Sequence, residues 1–329
     1  MEIPKEISRL VEGKSYLITG GAGFIGSNLS EALLNMGASV FVLDSLVTGL
    51  ESNVERLSKH EKFTFIQGDI CHVSDYQSVL NQVDAISHQA ALGSVPRSIA
   101  LPLNTHAANT TGFLTILHEA FQAGVKRFVY ASSSSVYGDT KVTPKVEGIE
   151  GNPLSPYAVT KKLDEQYALV YHQLHQMETI GLRYFNVFGL HQNPNGVYAA
   201  AIPKFLDKML EGGEIVINGD GTQTRDFTYV KNAIYANVLA LTSTNEKAFG
   251  EVFNVACGDS FSLNTVIQTL ENGLKKLQVE PKHSLSFGPP RAGDLPESLA
   301  NISKIRNILQ YEPLYTFSEG IDEFLKSKV

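Results

Sequence analysis

Six short apolar runs recur along the first half of the chain, with intervening sequence that in most cases is long enough for a turn and a helix. They are Tyr16–Thr19, Val40–Leu43, Phe63–Ile66, Ala85–His88, Arg127–Ala131 and Ile180–Tyr184. Runs this short, with apolar residues on consecutive positions, read as strands buried on both faces. Between the first two, SNLSEALLNMG places Leu29, Leu33 and Met36 at i, i+4 and i+7 on one helical face, with Gly37 positioned to end the helix. Strands separated by helices pair through crossovers, so the expected architecture is a parallel, doubly wound α/β sheet. Residues 1–13 read as a short helical lead-in. After about residue 185 the alternation weakens into HQNPNGVY, a helical run from Ala199 to Leu210 and the turn-rich NGDGTQTRDF. A second, substrate-facing unit is expected to begin there, with Val252–Val255 returning to the sheet.

The chain has 329 residues, 43% hydrophobic and 19% charged, which is a globular composition with length for two units. A net charge of −7 argues against nucleic acid or an anionic membrane as a general partner. Two cysteines, Cys71 and Cys257, cannot make a disulfide framework. No apolar run approaches the ~18–20 residues of a membrane helix. The opening MEIPKEISRLVEGK is charged and lacks a signal-peptide core. A cytoplasmic protein is the expectation.

Gly20-Gly21-Ala22-Gly23-Phe24-Ile25-Gly26 follows the first strand and opens the first helix. A turn without Cβ atoms lets backbone N–H groups approach a pyrophosphate at a helix N-terminus, where the dipole favours negative charge. Asp44 ends the second strand, eighteen residues after Gly26. A carboxylate there accepts hydrogen bonds from ribose hydroxyls and repels a 2′-phosphate. No Arg or Lys follows in Asp44-Ser45-Leu46-Val47-Thr48-Gly49, so NAD is expected rather than NADP. The plainer alternative is a tight turn that holds no ligand. Asp69 and Ile70, after the third strand, are set either to meet an adenine or to cap a helix. In His88-Gln89-Ala90-Ala91 the small side chains admit a cofactor backbone, whereas His88 reads as a packed strand-end histidine.

Pro153-Leu154-Ser155-Pro156-Tyr157-Ala158-Val159-Thr160-Lys161 carries the second signal. Ser155 suits an N-cap and Pro156 a first helical position, which puts Tyr157 and Lys161 one turn apart on one face. A phenol with an ordinary pKa of about 10 is a poor base at neutral pH. A neighbouring ammonium favours the phenolate, which can then remove a hydroxyl proton. The alternative is a surface Tyr and Lys on an ordinary helix. Ser132 to Ser135 sit where a strand ends, the edge at which open α/β sheets bind ligands.

The motifs GGAGFIG, HQAA, SSSSVYGD, PLSPYAVTK, LRYFNVFG, NGDGTQTRDF and RAGDLPES together resemble the extended short-chain dehydrogenase/reductases, specifically the nucleotide-sugar 4-epimerases. The resemblance runs from Lys14 to the C-terminal region. It implies a Rossmann domain over residues 1–185 plus about 226–256. It implies a smaller α/β nucleotide-sugar domain over 186–225 plus about 257–329. By resemblance Ser133, Tyr157 and Lys161 are catalytic. The cofactor contacts then comprise Gly20, Gly23, Phe24, Ile25, Gly26, Asp44, Gly49, Asp69, Ile70, Gln89, Ala90, Ala91, Asn109, Tyr157, Lys161 and Tyr184. The family pattern also implies a homodimer through a four-helix bundle formed by roughly residues 104–123 and 156–176.

Related dehydratases resemble Thr-Asp-Glu where this chain has Ser133, Ser134 and Ser135, and related decarboxylases carry a Glu in place of Ser135. Without those carboxylates the remaining chemistry is movement of a hydride and a proton, which fits 4-epimerisation on tightly held NAD. The forks of Arg225 and Arg291 suit diphosphate oxygens, with a surface salt bridge as the alternative for each. By resemblance Asn186 meets the phosphates and Asp294 the uridine ribose, with Ser94 and Asn218 completing the nucleotide-sugar contacts. Ser298 is small where enzymes restricted to UDP-glucose and UDP-galactose carry Tyr. Gly93, Ser134, Gln192 and Ala200 also match epimerases of N-acetylated sugars. UDP-GlcNAc and UDP-GalNAc are therefore the expected pair, with UDP-GlcNAcA and UDP-glucose as rivals. A non-catalytic dinucleotide-binding protein and a net dehydrogenase are the contrasting classes. An extracellular glycan is the destination by resemblance. No metal is expected: His172 and His175 have metal-pair spacing but no supporting acidic cluster.

Overall fold

The computed structural model describes residues 3–192, 201–289 and 297–329. Its centre is a sheet of β1 (Ser15–Thr19), β2 (Ser39–Asp44), β3 (Phe63–Gln67), β4 (Ala85–His88), β5 (Arg127–Ser133), β6 (Glu178–Tyr184) and β7 (Glu251–Val255). The order across it is β7-β6-β5-β4-β1-β2-β3, and every pairing is parallel. All six apolar runs and the returning seventh are strands; the inner ones are apolar on consecutive positions because both faces are covered, while the edge strand β3 has no fully buried residue. In β1, Leu17 joins the core cluster that holds Phe113 and Leu117, while its neighbour Ile18 joins the one that holds Leu29 and Leu33. The chain order reverses between β1 and β4, which opens a crevice at the strands' C-terminal ends.

Helices cover both faces. They include α1 (Lys5–Val11), α2 (Phe24–Asn35), α3 (Gly112–Gln122), α4 (Pro156–His175) and α5 (Val230–Thr242). Helix α1 is the expected lead-in. Leu29 and Leu33 are fully buried on α2, which ends at Asn35, and Gly37 follows in the left-handed region at φ +86°. Helix α5 is buried on nearly every residue from Val230 to Leu241, so its last carbonyls have no water to accept from. Arg127 of β5 supplies the donors: Nη1 donates to the carbonyls of Ala240 (2.7 Å) and Leu241 (3.0 Å), and Nη2 to that of Ser243 (2.7 Å). Nε and Nη2 also donate to Glu178 Oε2. A guanidinium at a helix C-terminus both satisfies carbonyls and opposes the dipole.

A second guanidinium, this one buried, fixes α4. Arg183 of β6 donates from Nε and Nη2 to the two carboxylate oxygens of Glu165, each at 2.8 Å, and from Nη1 to Glu150. Ser132 at the end of β5 donates to the same Glu165. The first half of α4 is thereby held against the ends of β5 and β6.

Beyond β6 the pairings are short. Val187–Phe188 runs parallel to Thr228–Tyr229, and Glu214–Asn218 parallel to Ser284–Gly288. Thr224–Arg225 lies between Phe261–Ser262 and Glu297–Ser298. The helix expected from Ala199 to Leu210 runs Ala201–Glu211, with residues 199 and 200 outside the described part. Asp226 ties this region together by accepting from the backbone N–H groups of Cys257, Gly258 and Ala300.

Arg127→Met removes every donor at the end of α5 and leaves buried carbonyls unmet. A loss of about 3 kcal/mol in unfolding free energy is expected, at the scale of a few charged hydrogen bonds, measured by urea denaturation against wild type.

Candidate active site

At the end of β1, Gly20 has φ +67°, and a Cβ on it would lie 2.6 Å from the backbone nitrogen of Ala90. A Cβ on Gly26 would collide with the carbonyl oxygen of Gly20. The glycines thus let β1, the start of α2 and the segment after β4 meet at backbone distance. Gly23 occupies the N-cap of α2 and offers no side-chain cap, so the first helical N–H groups are left for a ligand. Asp44 holds this turn as well as facing the crevice. Its Oδ2 accepts from Ala22 N (2.9 Å) and its Oδ1 from Leu46 N (2.8 Å). Burial pushes its carboxyl up, and those two N–H donors pull the other way. Asn53, which the sequence reading passed over, donates to the carbonyl of Ala22 at 2.9 Å and is buried.

A cavity of about 1150 Å³ runs along the C-terminal edge of the sheet, from Asp44 and Asp69 at one end to Tyr157, Lys161 and Tyr184 at the other. Gly20, Gly23, Phe24, Ile25, Gly26, Gly49, Ile70, Gln89, Ala90 and Ala91 line it too. Of the expected cofactor contacts only Asn109 does not. It is buried behind the wall, where Oδ1 accepts from Leu92 N (2.7 Å) and Nδ2 donates to Thr160 Oγ1 (3.2 Å). Asp69 lines the cavity, and its Oδ1 accepts from Cys71 N within a turn; it caps no helix, since the helical turn that follows has His72 at its N-cap. Tyr184 donates to Gln89 Oε1 (3.1 Å), accepts from Asn237 Nδ2 (2.7 Å), and is pushed up to about 12 by burial.

Tyr157 and Lys161 sit on the first turns of α4, where Ser155 Oγ accepts from Ala158 N and Pro156 takes the first position. Lys161 is 1% exposed. Its Nζ donates to the carbonyl of Ala131 (2.9 Å) and to Asp164 Oδ2 (3.1 Å). His88 is buried, stacked on Phe128 and edge-on to Phe113, with Nδ1 2.9 Å from Thr19 Oγ1. Burial, aided by the charge of Lys161, lowers it to about 3. It is neutral at working pH, the packed histidine the sequence suggested.

Ser132 lines the cavity, whereas Ser133 and Ser134 are not among its lining residues. Ser133 Oγ accepts from Ser135 N at 3.2 Å. Gly93, Ser94 and Gln192 do line it. So does Arg97, one turn beyond the N-cap Ser94, which the sequence reading missed. The signal was the Ser-x-x-Arg opening of a short helix. A second cavity of about 660 Å³ gathers Asn186, Asn218 and Arg225. Asn186 donates from Nδ2 to the carbonyl of Asp226 (2.8 Å). Ser298 pairs with Arg225 across a two-residue strand and lines neither cavity. Ala200, Arg291 and Asp294 lie outside the described residues. His172 and His175 do not face each other as ligands: His172 Nδ1 meets the carbonyl of Met177, and His175 stacks on Phe121.

A crevice with a glycine turn, a strand-end carboxylate and a Tyr–Lys pair suits a dinucleotide whose redox end meets a hydroxyl-bearing substrate. A family model described as the NAD dependent epimerase/dehydratase family matches residues 16–256. The chain belongs to this family. It is 34% identical over 318 residues to the UDP-glucose 4-epimerase of Mycolicibacterium smegmatis, covering 95% of this chain and 98% of that one. Among solved structures it resembles the UDP-N-acetylglucosamine 4-epimerase of Methanobrevibacter ruminantium M1, solved with UDP-N-acetylmuramic acid. The TM-score is 0.89 at 35% identity, over 97% of this chain and 100% of that one. It also resembles the UDP-glucuronic acid 4-epimerase of Bacillus cereus, solved with UDP-glucuronic acid and NAD. There the TM-score is 0.83 at 32% identity, over 95% and 98% of the chains.

The cofactor of this epimerase/dehydratase family member is NAD. The cradle fits it: close backbone approach at Gly20 and Gly26, open N–H groups at the start of α2, and a carboxylate at the end of β2. Its activity is that of the NAD-dependent UDP-sugar epimerases and dehydratases. Among the described residues no helix is long and apolar enough to cross a membrane.

Gly20→Ala forces a Cβ against Ala90 in a left-handed backbone. Bound nucleotide, measured by chromatography of acid-released NAD, is expected to fall at least tenfold per protomer. Unfolding free energy should drop by about 1–3 kcal/mol.

Proposed function

We propose that the protein interconverts UDP-GlcNAc and UDP-GalNAc by epimerisation at carbon 4. The observation that carries an epimerase reading over a dehydratase one is the distribution of charge in the large cavity. Its lining carboxylates among the described residues are Asp44 and Asp69, both on the β2–β3 side, and none lies beside Tyr157 and Lys161. Elimination of water needs an acid and a base at the sugar, whereas epimerisation needs one group that takes and returns a proton.

When bound, NAD supplies a reversible hydride acceptor for carbon 4. Tyr157 removes the proton of the 4-hydroxyl, and the ammonium of Lys161 favours the phenolate that does so. Ser133, which follows the cavity-lining Ser132 at the end of β5, is by family resemblance the residue that orients the same hydroxyl. Once the 4-keto sugar has turned its other face, Tyr157 returns the proton. Gly20, Gly23, Gly26 and Asp44 hold the dinucleotide, with the remaining cavity residues beside them. Residues 186–225 and about 257–329 take the nucleotide sugar and the rest of the chain the cofactor. In favour of this division, Asn186, Asn218, Arg225 and Leu263 line the second cavity together. The absence of bulk at Gly93, which lines the large cavity, supports room for an acetamido group. A carboxylated sugar such as UDP-GlcNAcA is the second reading, favoured by Arg97 in the large cavity.

The homodimer belongs to the same proposal. Leu103 is 82% and Leu174 70% exposed, and Val159, Val170 and Leu174 form an outward apolar stripe along α4. Spacings of this kind suit a four-helix bundle between two copies. A cytoplasmic enzyme supplying an extracellular glycan completes the reading.

Proton NMR of the purified protein with UDP-GlcNAc and no added NAD tests the reaction. The anomeric signal of UDP-GalNAc is expected, and Tyr157→Phe should slow its appearance by about 10²–10⁴-fold. Turnover of UDP-glucose or UDP-GlcNAcA alone would reassign the sugar, and inertness towards all three would remove the epimerase assignment. Leu174→Asp is expected to convert a dimer to a monomer in light scattering, and a wild-type monomer would contradict the bundle.

A further inference from the structure

Lys161 is reached from behind by a carboxylate that has no contact with either cavity. Asp164 lies one turn further along α4, is fully buried, and accepts from Lys161 Nζ at 3.1 Å through Oδ2. Its Oδ1 has no hydrogen-bond partner. Lys161 lines the large cavity and Asp164 does not. An ammonium has three N–H donors. Ala131 and Asp164 take two of them, so the third is left for the cavity side.

We propose that Asp164 is a positioning residue that fixes the Lys161 ammonium and sets how much of its charge reaches Tyr157. The proposal rests on Tyr157 being the base, as read above. A buried ion pair presents little net charge to a neighbour, whereas an ammonium held by a neutral partner presents nearly all of its own. Asp164 moves between these two conditions. Burial raises its carboxyl to about 7, and Lys161 pulls it back. Above that pH the carboxylate offsets the ammonium, and below it the ammonium stands alone.

Other charges around the pair do not substitute for this. On α4 itself Glu165 also acts on Asp164, but its oxygens are taken by Arg183 of β6, which Glu150 completes. From β5, Tyr130 feels Asp164 and is held protonated by burial. From β4, His88 is held neutral. The helices packed on the other side carry Arg97, His106, His118 and Glu119, none of which is among the charges acting on Asp164.

The test is the pH dependence of Tyr157 in Asp164→Asn, which keeps an acceptor for Lys161 and removes the charge. Tyrosinate absorbance near ~295 nm, taken as the difference between each protein and its Tyr157→Phe counterpart, follows Tyr157 without substrate. Its midpoint, and the acid limb of kcat/KM where turnover is measurable, are expected to move down by at least half a pH unit. Wild type and variant should agree below the titration of Asp164 and diverge above it. An unchanged or raised midpoint in a folded variant would overturn the proposal, even if kcat falls. Asp164→Ser supplies the same comparison should the Asn variant not fold. Because absorbance needs no sugar, a wrong substrate assignment leaves this test intact.

Discussion

The backbone of Gly20 against the backbone of Ala90 is the contact from which the rest of the site follows. With a Cβ nearly on top of the Ala90 nitrogen, the turn after β1 could not close on the segment after β4. The crevice at the reversal of strand order would then lose its floor. Asp44 and Asn53 clamp the turn from the β2 side by binding the two ends of the Ala22 peptide unit, so the carboxylate expected to face a ribose is also a structural strut. In the proposed reading, cofactor choice and turn stability share one side chain.

The far end of the crevice is set by a buried guanidinium, a partly buried one and a buried ammonium. Arg183 fastens α4 to β6 through Glu165, and Ser132 joins the same carboxylate, so Tyr157 and Lys161 stand on a helix that cannot shift without breaking a buried ion pair. Breaking such a pair leaves an uncompensated charge, which makes it costly to move. Arg127 does the equivalent for α5, whose Asn237 in turn holds Tyr184 and Gln89 at the cavity wall. Rigid supports of this sort keep the phenol proposed to transfer the proton in one place.

The sheet was legible because its inner strands are covered on both faces, which leaves consecutive apolar residues in the sequence. The glycine turn was legible because no other residue tolerates that approach, and Tyr157 with Lys161 because an i, i+4 pair after Ser-Pro has a fixed geometry. What stayed hidden depends on distance along the chain or on burial. The Arg183–Glu165–Glu150 cluster joins residues far apart in sequence. Asp164 reads as an ordinary polar residue of a solvated helix face, and only packing reveals it as buried. Asn109, placed by resemblance among the cofactor contacts and as a support of the active site, braces Leu92 and Thr160 from behind the cavity wall. Ser298 was expected at the sugar and pairs with Arg225 on a short strand.

The central claim is that carbon 4 gives up a hydride and receives the same one back within a single active site. Incubating the protein with UDP-GlcNAc deuterated at carbon 4, in ordinary water, tests it directly by NMR and mass spectrometry of the product. The account predicts that the epimer keeps its deuterium at carbon 4, with no label lost and no NADH accumulating in solution. Replacement of that deuterium by solvent hydrogen would contradict it, because the hydrogen would then have left as a proton.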